Sequence, residues 1–366
     1  MTPALLVRLL LLLMLTTAGC TATGQPDSST KARSTPTSPR QSVDPTDRGG
    51  TQTTAPPEPA PSERAPSEPT QPEPQPHPVS VAALIETEFT GGRLRVGEVL
   101  EEAGSYTRHA VTYRSQGLSV SGIMNVPSGR GPFPVLVLSH GYIDPADYVT
   151  GQGLAREQDW LARRGYVVLH TDYRNHAGSD DDPDVDYELR LPYAIDVVNA
   201  VRAVKRSDLR FLDGDRVGLL GRSMGGSVTL NALVARPGSV DAAVVYASTS
   251  SLAADNWRQF YRGDGDRARV NARMQRTYGL PGESPRFWRR ASARPYFDRV
   301  SAPVLLHHGT LDDTCPIGWS RATVRALRET GNRARLISYR GEGHTMYAQW
   351  QRSMERTAAF LGRHLR

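Results

Sequence analysis

The run Arg216-Val217-Gly218-Leu219-Leu220-Gly221-Arg222-Ser223-Met224-Gly225-Gly226 decides the fold. Its first half, Arg216–Leu220, is apolar in the manner of a buried strand. It then breaks into a serine flanked by glycines, and Gly225–Ala235 continues as a helix stopped before Pro237. Strand, tight turn and helix are the context that gives a G-x-S-x-G match its meaning. Such a turn holds the serine in a strained backbone conformation and leaves its hydroxyl exposed. Glycines flank it because side chains there would collide with the neighbouring strand and helix. The helix N-terminus behind the serine puts partial positive charge where an oxyanion would form. Ser223 is therefore the candidate nucleophile.

Working outward, Tyr106–Arg114 and Leu118–Asn125 alternate and meet at a Gln-Gly turn, which predicts a hairpin. Val135–Ser139 and Val167–Thr171 read as buried parallel strands, with an amphipathic helix, Leu154–Arg164, between them. A helix over Pro192–Arg206 precedes the central run. Strands at Ala242–Ala247, Val304–His307 and Arg335–Ser338 and a closing helix, Met346–His364, follow it. This alternation predicts an α/β fold, a mostly parallel sheet covered by helices on both faces.

Three further motifs sit at strand ends. Ser139-His140-Gly141-Tyr142 ends one buried strand. In a fold of this kind the loop there and the residue after the nucleophile each donate a backbone N–H to an oxyanion, which selects Tyr142 and Met224. His140 itself reads as structural. His308-Gly309-Thr310-Leu311-Asp312-Asp313-Thr314-Cys315-Pro316 follows a second strand, and Gly343-His344 follows the last. The order serine, acid, histidine is the one this architecture produces, with His344 as general base. Asp312 and Asp313 can both reach it on spacing alone.

Together these motifs resemble the catalytic domain of prolyl-oligopeptidase-like and dienelactone-hydrolase-like serine hydrolases of the α/β-hydrolase superfamily. The resemblance runs from about Tyr106 to the C-terminus. It implies that Asp312, four residues after His308, is the acid, which leaves Asp313 to cap the helix beginning near Pro316. It implies hydrolysis through an acyl-enzyme with no metal or organic cofactor. Oligopeptidases of this type carry a β-propeller, and residues 79–105 are too few for one blade of about 40 residues. A small-molecule ester or acyl substrate is expected. A small-peptide amidase is the alternative, and a non-catalytic surface binding module is the reading from another class.

The first part of the chain differs. Leu5–Thr17 is apolar except for Arg8, too short for a comfortable span of about 20 residues and suited to an export signal. It closes on Thr17-Ala18-Gly19-Cys20, which resembles the lipobox of bacterial lipoproteins, with Cys20 acylated. Residues 1–20 are read as signal, 21–78 as a disordered Pro/Ser/Thr-rich linker and 79–366 as the catalytic domain. A protein anchored by lipid on the outer face of a bacterial cell membrane, or otherwise secreted, follows, and a monomer is expected.

The chain carries a net charge of +6, and only Lys31 and Lys205 are lysines. Acidic residues are interspersed and no nucleic-acid motif accompanies the basic excess, so no nucleic-acid partner is expected. Cys315, the one cysteine beyond the leader, reads as a packing residue. The acidic loop Asp180–Asp186 lacks calcium-loop spacing and reads as a solvated loop capping the next helix. Residues from about 250 to 296 lose the alternation and hold Trp257, Phe260, Tyr261, Tyr278, Phe287, Trp288 and ten arginines. They are read as a small lid whose aromatic side chains can line an acyl pocket and whose arginines form a solvated face.

Overall fold

A computed structural model describes residues 75–365. The signal segment, Cys20 and the linker up to residue 74 lie outside the described residues.

The strands in chain order are β1 (Gly92–Glu102), β2 (Tyr106–Ser115), β3 (Leu118–Pro127), β4 (Phe133–Ser139), β5 (Val167–Thr171), β6 (Leu212–Arg222), β7 (Ala242–Tyr246), β8 (Val304–Gly309) and β9 (Arg335–Tyr339). They form one sheet in the order β1-β2-β3-β5-β4-β6-β7-β8-β9. β1 to β3 are antiparallel, β3 meets β5 antiparallel, and every pairing from β5 to β9 is parallel. The β2–β3 hairpin closes on Gln116 and Gly117, both at left-handed φ (48° and 87°), as a tight two-residue turn requires. β1 has no counterpart in the sequence reading. Only Leu94 and Val96 of this strand pack against the core, and every position from Gly97 to Glu102 is exposed.

The helices are α1 (Val81–Glu86), α2 (Ala155–Ala162), α3 (Pro192–Lys205), α4 (Met224–Ala235), α5 (Ala253–Phe260), α6 (Ala268–Tyr278), α7 (Pro285–Arg290), α8 (Ile317–Glu329) and α9 (Trp350–His364). Alternate side chains of β4 serve opposite faces of the sheet, as a period of two dictates. Val135 and Val137 join the core under α3 and α4, with Val201 and Val228. Leu136 and Leu138 join the core under α2 and α9, with Leu161 and Leu361. Each such side chain contributes about 1.5–3 kcal/mol by leaving water. α4 is buried on nearly every side, and its sequence is correspondingly apolar all round.

The chain leaves β5 and crosses β4 to reach β6, so the order reverses next to β4. A crevice opens beyond the C-terminal ends of strands at such a reversal. Gly141 and Ser223 lie there.

α5, α6, α7 and a 3-10 helix (Arg294–Arg299) form the cap between β7 and β8. Trp257, Met274, Tyr278 and Trp288 are buried in the same core as α3 and α4, so the cap is packed onto the body. His77 already packs edge-on against Tyr278 and Phe287, at ring-centroid distances of 5.4 and 5.2 Å.

Candidate active site

β6 runs straight into α4 through Ser223, whose φ of 57° and ψ of −122° depart from helix and strand alike. Bonds on both sides hold this conformation: the Ser223 N–H donates to the Tyr246 carbonyl at 2.9 Å, and the Gly226 N–H to the Ser223 carbonyl at 2.9 Å. A Cβ at Gly221 would collide with the Gly225 carbonyl, and one at Gly225 with the Ser139 carbonyl. Serine is a strong N-cap residue, yet this one makes no capping bond, so its hydroxyl is not committed to the helix. Met224 is the first residue of α4, where an N–H has no partner within the helix.

The loop after β4 packs against this elbow. A Cβ on Gly141 would lie 3.2 Å from the Ser223 Cβ, so a side chain there would crowd the serine. His140 is fully buried, its Nε2 3.1 Å from the Asp172 carbonyl. Burial above all, with His170 and His176 close by, lowers its pKa to about 3 and keeps it neutral.

The loops after β8 and β9 meet. His344 Nδ1 lies 3.0 and 2.9 Å from the two oxygens of Asp312. The Asp312 side chain is fully buried. It accepts the Thr314 and Cys315 N–H groups at 3.0 and 2.8 Å, and His308 Nε2 lies 3.1 Å away. Burial pushes the Asp312 pKa up. The bonds from His308, His344 and Cys315 outweigh it and hold the carboxyl well below the usual carboxylate range. Asp313 faces solvent and takes only the Thr314 hydroxyl, at 3.3 Å. Its expected capping role is not found: α8 begins after Pro316 with no side-chain cap. Pro316 itself stands at the N-cap, with an extended backbone (φ −55°, ψ 130°).

Tyr142, Ser223, Met224 and His344 line one cavity of about 330 Å³. Apolar walls come from Leu189, Val228, Phe260 and Tyr261, neutral polar groups from residues such as Asn231 and Asn256, and two cations from Arg190 and Arg267. Phe260 and Tyr261 are thus the cap aromatics that reach the cavity. Trp288 and Tyr278 are core residues, and Phe287 stacks on Tyr278 at 4.4 Å. Cys315 is buried beside the Ser223 hydroxyl. Burial first, then the Asp312 charge, push its thiol up to about 12, against an opposing contact from Ser223.

Several residues that position the site have no signature in the sequence. Glu157 is buried on α2, forms an ion pair with Arg222 next to the elbow, and accepts the Trp350 indole N–H at 2.8 Å. Glu342 accepts the N–H groups of Tyr347 and Gln349 at 2.8 and 2.6 Å, which ties down the loop carrying His344. The acidic loop is largely accessible to solvent, as expected, but it is not a cap, and most of its carboxylates have partners. Asp180 takes the Ser119 N–H, Asp182 pairs with Arg174, Asp184 with Arg273 and Asp186 with Arg190. α3 opens on Pro192 with no side-chain cap.

A model of the prolyl oligopeptidase family matches residues 153–366. The chain is similar to the uncharacterized peptidase YuxL of Bacillus subtilis, 27% identical over 243 residues that cover 63% of this chain and 34% of that protein. Its fold is similar to that of acetyl xylan esterase 1 from Thermoanaerobacterium, with a TM-score of 0.59, 17% identity, and coverage of 80% of this chain and 96% of that one. It is also similar to Porphyromonas gingivalis dipeptidyl peptidase 4, with a TM-score of 0.57, 20% identity, and coverage of 71% and 36%. The chain spans about a third of the length of the two peptidases. An elbow serine at the strand reversal and a family match across more than half of the chain lead to one assignment: the chain belongs to the prolyl oligopeptidase family of serine hydrolases, on the α/β-hydrolase fold.

Proposed function

We propose that the chain is an exported hydrolase of carboxyl esters or small acyl substrates, held at the outer face of a bacterial membrane by lipid on Cys20. The observation that carries the catalytic reading is His344, gripped at Nδ1 by both oxygens of a buried carboxylate while lining the same cavity as the elbow serine. That grip fixes the tautomer in which Nε2 is free to take a proton.

Ser223 Oγ attacks the substrate carbonyl carbon as His344 Nε2 takes its proton. The backbone N–H groups of Met224 and Tyr142 receive the oxyanion, with the N-terminus of α4 behind them. His344 returns the proton to the leaving oxygen and the acyl-enzyme forms. Water, deprotonated by His344, then attacks the acyl carbon; the bond to Ser223 Oγ breaks, His344 returns the proton to Oγ, and the acid leaves. Asp312 stays ionised throughout and stabilises the imidazolium.

The cavity wall supports an ester or acyl substrate over a peptide held by its amino terminus. No aspartate or glutamate is among the described residues lining it, so none of those residues matches an ammonium group. A small-peptide substrate is the second reading, supported by the two similar proteins named as peptidases. Turnover of p-nitrophenyl butyrate against a dipeptide p-nitroanilide separates the two, with Ser223→Ala as background. We expect kcat/KM for the ester to exceed that for the anilide by about 100-fold. A faster anilide would establish the peptidase reading.

Acylation of Cys20 rests on Thr17-Ala18-Gly19-Cys20. Mass spectrometry of the mature N-terminus tests it, and an unmodified N-terminus at another residue would overturn it.

A further inference from the structure

We propose that Arg190 determines specificity by binding a carboxylate of the substrate, so that the bond cleaved lies a few atoms from a free carboxylate. The inference rests on the reading of the Ser223 cavity as the substrate site.

Arg190 is an unusual wall residue. Its side chain is only 11% exposed, yet it lines the cavity that holds Ser223. Leu189 and Arg190 both adopt left-handed φ, 56° and 58°, just ahead of Leu191, the N-cap of α3. Consecutive residues with side chains rarely adopt that region, and such strain gathers at ligand-binding positions. Here it delivers a long cation to the cavity.

The guanidinium is only half satisfied. Asp186 accepts from Nε at 2.6 Å. Nη1 reaches only the Met224 sulfur at 3.6 Å, a weak acceptor. Nη2 is buried with no acceptor among the described residues. The Nη1–Nη2 edge is one side of the planar fork that grips a carboxylate through two parallel bonds. Met224 follows Ser223 directly, which places this edge beside the elbow and sets the short span between carboxylate and scissile bond.

The surrounding charge points the same way. The Tyr142 ring has Arg190 at 4.4 Å and Arg267 at 4.6 Å from its centroid. Both also lie over the Tyr261 ring, at 5.4 and 5.6 Å, so two cations share two rings beside a cavity with no carboxylate among the described residues lining it. Asp186 and Asp264 pair with them, and neither carboxylate lines the cavity. An anion in the cavity would lower the repulsion between the two guanidinium groups and supply the missing acceptors. Tyr142 is 42% exposed, and among the described residues its hydroxyl is held only by Asp144 at 3.3 Å, so its ring can turn aside as the anion enters.

Protection of Ser223 from a fluorophosphonate tests this without relying on turnover. Adipate and its neutral diamide, adipamide, are titrated as protectants. Adipate is expected to protect wild type at about 10–100-fold lower concentration, the range for a charge-assisted bond to one buried cation. Arg190→Gln is expected to erase the preference and Arg190→Lys to restore part of it. Equal protection by adipate and adipamide in wild type overturns the proposal, whether or not the variants fold. So does a preference that persists in folded Arg190→Gln.

Two ester pairs then locate the carboxylate. Mono-p-nitrophenyl adipate against p-nitrophenyl hexanoate puts it on the acyl side. 4-Acetoxybenzoate against its methyl ester puts it on the leaving group. A preference for the charged member of either pair, lost in Arg190→Gln, supports the proposal and names the side. If no ester is turned over while adipate still protects labelled Ser223, the ester reading falls and carboxylate recognition stands.

Discussion

Ser223, Asp312 and His344 each lie within a few residues of a strand end, on loops after β6, β8 and β9. The cap of residues 250–296 hangs its side chains on α5, α6 and α7, three short helices joined by turns. On the rim, a single residue is held by several local bonds. Asp312 takes bonds from both its own loop and the next, and the elbow is pinned by Tyr246 and Gly226. In the cap, position follows from packing of large rings, with Trp257 and Trp288 buried against each other at 5.7 Å. Rim residues are therefore expected to govern rate, and cap residues stability and substrate fit.

The sharpest break in this comparison lies between adjacent carboxylates. Asp312→Asn should lower kcat/KM for an ester by about 10⁴-fold, because an amide supports the wrong imidazole tautomer. Asp313→Asn should change it by less than about threefold, since Asp313 faces solvent and caps nothing. Steady-state kinetics on the two folded variants reads this directly. An inactive Asp313→Asn would place the acid one residue later.

A cap residue should behave in the opposite way. Trp288 is 2% exposed, and Trp288→Ala should cost about 3–5 kcal/mol in denaturant unfolding, the range for emptying a large aromatic site. Phe260 lines the cavity, so Phe260→Ala should shift acyl-chain preference while costing less stability than Trp288→Ala. Equal destabilisation by both would mean that the cap has no division between core and wall.

The low pKa of Asp312 makes a third contrast. A carboxylate whose folded pKa is depressed stabilises the fold fully above its unfolded value, and that stabilisation is lost as pH falls through the folded value. The stability gap between wild type and Asp312→Asn should be constant at neutral pH. It should begin to close below about pH 4, the unfolded carboxylate value. A gap that stays constant down to pH 2 would contradict this reading.

The chemistry-bearing loops were legible because their constraints are local. Gly221 and Gly225 mark a turn in which a Cβ would strike a carbonyl, and the apolar runs of β4, β6 and β8 announce buried parallel strands. Eight of the nine described strands and the helices α2, α3, α4 and α9 were legible from period and breakers for the same reason, whereas the short α1 and the cap helices α5 to α7 were not. β1 was not, because the exposed and charged residues along Gly92–Glu102 obscure its alternation. Arg190, Glu157 and Glu342 were not, because each acts through partners brought near only by folding, such as Glu157 with Trp350. In the acidic loop, Asp182 and Asp186 pair with the nearby Arg174 and Arg190, and only the partner of Asp184, Arg273, lies far along the chain. The cap aromatics divided between core and cavity in a way that composition does not encode.

The smallest expected effect concerns Cys315. With its thiol pushed up to about 12 and no exposed surface, it should resist iodoacetamide at pH 8 for hours in the folded protein and react within minutes in guanidinium. Rapid alkylation of native protein would mean that the rim beside Ser223 opens.

The central claim is that the elbow serine is the nucleophile, and mapping a fluorophosphonate adduct tests it most directly. After labelling and digestion, mass spectrometry should find the adduct on Ser223 alone, with none in Ser223→Ala. An adduct on another serine, or full labelling of the Ser223→Ala protein, would contradict the account.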